Sequence, residues 1–277
     1  MNKDGTLDAL TCRARSSPSG YFGSAGSFGS SFGTFIGELV WFSNPQDHSL
    51  SQPWTKNVIG PGPDVYFTHD IVDRLGNSEE VIITAEYFLP KFRIFWTESP
   101  NQDWSDTSKI KSRVIDDTLP GSDSPFYVEL KDVNKDNKPD IVLTTIGAKG
   151  GGLYVYEFPD DFRTGTFTRH DIASGFSVSK QDLYKTGAPG VFGFLPAQNP
   201  MQKPSIVLAG EDSNELYLVE PSNPNNPQDW QYVKTQIIKT PDSSVDGVAV
   251  ADVDGDGRAE IFASFYDLGL VKVWTTN

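Results

Sequence analysis

Apolar and polar positions alternate along most of this chain in short runs, separated by Gly, Pro, Asn and Asp, and that period of two predicts β-strands. The strands fall into recurring sets. Short apolar strands read DALTC (8–12), EVIITA (80–85), DIVLTT (140–145), SIVLAG (205–210) and EIFASF (260–265). Each is followed by an aromatic alternating strand: ELVWFS (38–43), FRIFWT (92–97), LYVYEF (153–158), LYLVEP (216–221) and LVKVWT (270–275). A polar turn comes next, nearly identical as NPQDH (44–48), PNQDW (100–104) and NPQDW (226–230). A closing strand follows in four of the sets: WTKNVI, IKSRVI, FTRHDI and VKTQII. A strand preceding the set is visible in PFYVELKDV (125–133) and DGVAVADV (246–253).

Four strands per unit, returning about every 60–70 residues, predict an all-β chain of four-stranded antiparallel blades arranged as a β-propeller. A β-sandwich or solenoid is the alternative. Five repeat units are expected, at about 1–60, 61–119, 120–178, 179–240 and 241–277, within a single domain. The first unit lacks its inner strand and the last stops after its third. Either the five close as a ring or the chain belongs to a six- or seven-bladed protein.

Between the first two strands of a unit lies an acidic loop. DVDGDGRAEI (252–261) and DVNKDNKPDI (132–141) match position for position. Alternate side chains of such a loop converge, so Asp252, Asp254, Asp256, the Arg258 carbonyl and Glu260 form one set of hard oxygen ligands. Asp132, Asn134, Asp136, the Lys138 carbonyl and Asp140 form the other. Gly257 supplies the left-handed turn, and Asn137 stands in its place in the earlier loop. The pattern suits Ca²⁺, with Mg²⁺ as the alternative, and no helical period flanks it as an EF-hand requires. MNKDGTLDAL (1–10) offers a weaker copy through Asn2, Asp4 and Asp8. DIVDRLGNSEEVI (70–82) reads as a degenerate copy two residues longer, and LPAQNPMQKPSIVL (195–208) has lost its acids.

These loops, at this place in a four-stranded repeat, resemble the FG-GAP/VCBS repeats of β-propellers, including fungal members such as the propeller of aldos-2-ulose dehydratase. The resemblance covers essentially the whole chain and is most specific at 132–140 and 252–260. It implies a propeller with the metal loops on the face opposite the ligand-binding mouth. A shell of five protein ligands leaves little room to polarise a substrate, so the metal is expected to be structural.

Composition narrows the field. The formal charge of −14 excludes the basic surface that nucleic acid demands and argues against anionic membrane. No apolar run reaches the ~18 residues of a membrane span. One cysteine, Cys12, allows no internal disulfide. No secretory signal opens the sequence, which fits a cytoplasmic protein or a secreted one after signal removal.

A ligand is expected at the channel mouth, where the segments are aromatic. YFGSAGSFGSSFGTF (21–35) contributes Tyr21, Phe22, Phe28 and Phe32, unless it is a Gly/Ser linker. Tyr66, Tyr87, Phe88, Phe126, Tyr127, Phe192, Phe265 and Tyr266 are further candidates, each equally readable as blade packing. Asp64, Lys149 and Asp246 are the candidate catalytic groups, with Glu211 and Asp212 beside them. The three histidines, His48, His69 and His170, read as structural. No nucleophile elbow, P-loop, dinucleotide fingerprint or zinc cluster is present.

Three functions fit. The first is a cofactor-free, non-redox enzyme of lyase, isomerase or cyclase type acting on a small organic molecule. The second is a lectin-like module for a glycan or small ligand, and the third a protein-interaction propeller. Divergence among the repeats favours one asymmetric site, because a multivalent lectin gains from equivalent ones.

Overall fold

The computed structural model describes residues 1–16, 35–45, 52–63, 65–88, 90–120, 123–178, 187–197 and 199–276. It is all-β, with 53% of residues in strands and 4% in helix. The strands form five antiparallel sheets, each built from strands consecutive in sequence. The first holds β1 (Ala9–Ser16), β2 (Phe35–Ser43) and β3 (Thr55–Pro61). The second holds β4 (Tyr66–Arg74), β5 (Asn77–Glu86), β6 (Lys91–Thr97) and β7 (Ile110–Asp116). The third holds β8 (Ser124–Lys131), β9 (Asp140–Ile146), β10 (Gly152–Glu157) and β11 (Thr168–Ser174). The fourth holds β12 (Phe192–Leu195), β13 (Ser205–Ala209), β14 (Glu215–Pro221) and β15 (Tyr232–Lys239). The last holds β16 (Val245–Ala251), β17 (Glu260–Phe265) and β18 (Leu270–Thr275). In each sheet with a closing strand, that strand shifts register by one residue against its neighbour, a β-bulge that bends the outer edge.

The chain divides into two compact units, Met1–Thr118 with Pro159–Thr166, and Leu119–Phe158 with Phe167–Asn277. In the first unit, Leu39, Trp41 and Ile59 pack against Ile82 and Phe95 of the next sheet and Trp104 of the connection after β6. The segment 159–166 belongs to this unit because Phe162 meets Trp96 edge-to-face at 5.8 Å and Arg163 pairs with Glu79 at 2.6 Å.

In the second unit the strand β13 shows why the sheets stack. Ile206 and Leu208 point into a core with Val142, Leu153 and Val155 of the third sheet. The intervening Val207 and Ala209 point into a second core with Val245, Ile261, Ala263 and Phe265 of the last sheet. Successive side chains leave a strand on opposite faces, so a strand apolar at every position must be covered on both sides. Gly193 is required at the second contact, where a Cβ would stand 2.9 Å from Val250. The outer face of the last sheet is uncovered, with Val271 64% and Val273 50% exposed.

One sequence expectation is corrected. Residues 70–82 are not a loop but the hairpin of β4 and β5, closed by Leu75 (φ +52°) and Gly76 (φ +81°). Two consecutive left-handed residues match the twist of a two-residue hairpin turn, so the acids there are paired strand residues.

Leu208→Ala is expected to lower stability by about 2–5 kcal/mol, whereas Val271→Thr should change it by less than about 0.5 kcal/mol. Urea unfolding of the two variants beside the parent checks the contrast.

Candidate functional site

The second unit carries chemistry at both ends of its strands. At one end, β16 reaches Ala251 opposite Glu260, and residues 252–259 connect them. Asp252 organises this loop: its carboxylate oxygens accept the N–H groups of Gly255 at 2.7 Å and Gly257 at 2.9 Å. Both glycines have left-handed backbone, which a Cβ would strain. Glu260 accepts the Val253 N–H at 3.1 Å through Oε2. Carboxylate oxygens of Asp252, Asp254 and Glu260 lie within 4.8 Å of one another. Glu260 is only 5% exposed, and its Oε1 has no hydrogen-bond partner. A buried carboxylate oxygen without a donor is costly, and a cation among the three acids would satisfy it. Asp256, expected in the same ligand set, is engaged elsewhere. Its Oδ2 takes the Arg258 guanidinium at 2.5 and 2.9 Å, which with the Arg258 N–H holds its carboxyl below the usual range.

The 132–140 loop has the same skeleton. Asp132 accepts the N–H groups of Asp136 and Asn137 at 3.2 and 3.1 Å. Asp136 accepts that of Lys138 at 2.9 Å, and Asp140 those of Val133 and Asn134 at 2.9 and 3.3 Å. Asn137 takes the left-handed φ of +69° expected of it. Its ends are buried, with Asn134 and Asp140 only 1% and 2% exposed, while Asp136 at its tip is exposed. Burial, then the neighbouring Asp136 and Asp132, push the Asp140 carboxyl up to about 7. A bound cation reverses that pressure.

In the first unit the partial copy also closes on itself. Asn2 donates to Asp4 at 2.9 Å, and Asp8 accepts the N–H groups of Asn2 at 3.3 Å and Asn44 at 3.1 Å. The fourth copy holds a feature the sequence reading missed. QKPSI (202–206) repeats NKPDI (137–141), and Lys203 is buried there, donating to the Asp229 carbonyl with its ammonium 4.9 Å from the Trp230 ring. Burial lowers its pKa. A fixed lysine cation thus sits in the repeat that lost its acids, and the alignment was the signal for it.

At the other strand end the central group is Glu211. It follows β13, with φ of +34°, and donates its backbone N–H to the Val245 carbonyl at 2.9 Å. Its Oε2 is buried without a hydrogen-bond partner, and a Cβ on Gly190 would stand 2.7 Å from it. Burial first, then Asp212 and Asp246, push its carboxyl up to about 8. It is therefore held protonated at neutral pH.

The aromatic candidates separate. Phe192 and Phe265 are reassigned to packing: both are fully buried core residues, because their strand positions face the neighbouring sheet. Tyr127 is half-buried, edge-to-face on Phe192 at 5.0 Å, and hydrogen-bonded through its hydroxyl to Glu129. Phe126 is half-buried beside it. Tyr266 is 76% exposed next to Phe265. In the first unit, Tyr66 opens β4, and Tyr87 meets Phe88 edge-to-face at 5.2 Å; all three are half-buried. Lys149 is exposed. Tyr21, Phe22, Phe28, Phe32, Asp64 and His48 lie outside the described residues. His170 stacks on Trp230 at 4.2 Å, in keeping with a structural role.

No family model and no curated protein matches this sequence.

A carboxyl whose folded pKa is raised binds its proton more tightly in the native state, so its contribution to stability falls as pH rises. For Glu211 the window runs from the ordinary carboxylate range up to about 8. Glu211→Gln should flatten the decline in stability across that window and make the variant relatively more stable at its alkaline end. Urea unfolding of parent and variant at both ends checks this, and equal pH slopes would refute it.

Proposed function

We propose that the chain is a β-propeller of the FG-GAP/VCBS type, its five sheets serving as blades, and that it works as a cofactor-free, non-redox enzyme on a small organic molecule. In this reading the acidic loops hold structural calcium, and the reactive end is the opposite one, where Glu211 acts as proton donor. The observation that carries it is the Glu211 carboxyl: buried, without a partner at Oε2, set on left-handed backbone and held protonated to about pH 8. A general acid works best with a pKa near the operating pH, and perturbed carboxyls concentrate at functional sites.

The supporting geometry is local. The Glu211–Val245 bridge fixes the backbone of Glu211 next to that of Asp246. Two neighbouring carboxyls whose surroundings differ are the pairing that splits acid and base roles between similar residues. In a dehydration, Glu211 would give its proton to the departing hydroxyl oxygen as the C–O bond breaks. Asp246 would take the proton from the adjacent carbon, leaving the electron pair to form the double bond. Calcium takes no part in the step; it ties the loop acids together and removes their mutual repulsion.

Two measurements test the reading. In D₂O, the protein should catalyse deuterium exchange into one class within a panel of hydroxy-carbonyl compounds, followed by proton NMR. Glu211→Gln should lower that rate by about 10²–10⁴-fold with the fold intact. Exchange untouched by the substitution would remove Glu211 from the chemistry, and no exchange across the panel would remove the enzyme. Separately, chelation should lower the melting temperature, since a ligand at a hundredfold excess over Kd contributes about 2.7 kcal/mol. Asp136→Ala should blunt that response while leaving exchange by the folded protein in place.

A further inference from the structure

The two well-formed acidic loops differ in a way their sequences conceal. In the 132–140 loop the ligand side chains Asn134 and Asp140 are buried and Asp132 is half-buried, with Asp136 alone exposed. In the 252–260 loop Asp252 and Asp254 are exposed, and only Glu260 is buried. With Asp256 bound to Arg258, the donors left are the carboxylates of Asp252, Asp254 and Glu260 and the Arg258 carbonyl. Calcium takes about six to eight oxygens. Because Asp252 and Asp254 are exposed, a cation held between them and Glu260 would keep one side toward solvent.

Asp252, Gly257, Arg258 and Ala259 of this loop also line a cleft. A groove of about 610 Å³ runs along the loop, between the fourth and last sheets of the second unit. Leu195, Pro196, Ala197 and Val250 form an apolar wall, with Asp252 and Arg258 at its edge.

We infer that the 252–260 loop is a ligand site, in which an exposed calcium ion binds the vicinal hydroxyls of a neutral polyol or sugar lying in this groove. Charge decides the class. Three carboxylates against a divalent cation leave the centre negative, Arg258 is already neutralised by Asp256, and Glu220 adds another carboxylate to the lining. An anionic ligand meets net repulsion there, whereas hydroxyls satisfy the cation without adding charge. The apolar wall suits the C–H face of the same molecule. The inference rests on the calcium reading of these loops and is independent of the Glu211 end.

Terbium, which substitutes for calcium and is sensitised by nearby aromatic side chains, reads the openness directly. Its emission decay in H₂O and D₂O counts coordinated waters. The wild-type protein should show two populations, one nearly dry and one carrying about two or more waters. Asp254→Ala, an exposed change, should delete the hydrated one alone. With calcium bound, saturation-transfer NMR should then detect mannitol and not succinate. The mannitol signal should vanish on chelation and in Ala197→Trp, which fills the groove and spares the hydrated terbium population. Absence of protein-sensitised emission would remove the calcium reading and this site together. Two equally dry populations, or contact from succinate alone or from neither probe, would overturn the site while leaving structural calcium standing.

Discussion

The structure rests on one constraint: strands that are apolar at every position need cover on both faces. The strand β13 states it most clearly, sending Leu208 into one core and Val207 into another. No four-stranded sheet with such a strand is stable alone, and stacking sheets face to face is the economical answer. The same constraint fixes where chemistry can reside. Strand interiors are committed to packing, so groups that meet solvent or ligand are confined to the connections at the strand ends.

The two ends of the second unit have opposite electrostatic characters despite similar residues. At the 252 end, two exposed carboxylates and one buried one converge on one point, an arrangement that can hold a cation. At the Glu211 end, burial keeps a carboxyl protonated, which is the condition for giving up a proton to a substrate. At Glu211 burial acts first and the neighbouring Asp212 and Asp246 add to it, both disfavouring the charged form.

Much of this was legible in the sequence, for a physical reason. The period-two pattern reports which faces are covered, so strand positions and their grouping in fours emerged from it, as did the left-handed Asn137 and Gly257 of the acidic loops. What the pattern could not supply was depth. It marks Phe192 and Phe265 as apolar without telling that they face a neighbouring sheet. It records acids at 70–80 but not that Leu75–Gly76 closes a two-residue hairpin through them. It places Asp256 in a ligand set without revealing that Arg258, two residues on, takes its carboxylate. Lys203 stands where Lys138 does in the earlier repeat, but a lysine is ordinarily read as a surface residue until its burial is seen.

The uncovered outer face of the last sheet carries a dynamic consequence. With Val271 and Val273 in solvent and β18 paired on one side only, this sheet holds fewer of the contacts that resist local opening. It is therefore the part of the second unit from which amide hydrogens are expected to exchange first. Because the 252–260 loop joins two strands of that sheet, a cation bound there would close the least secure hairpin, and the protection of β16 and β17 would then rise and fall with free metal concentration while β13 stayed shut.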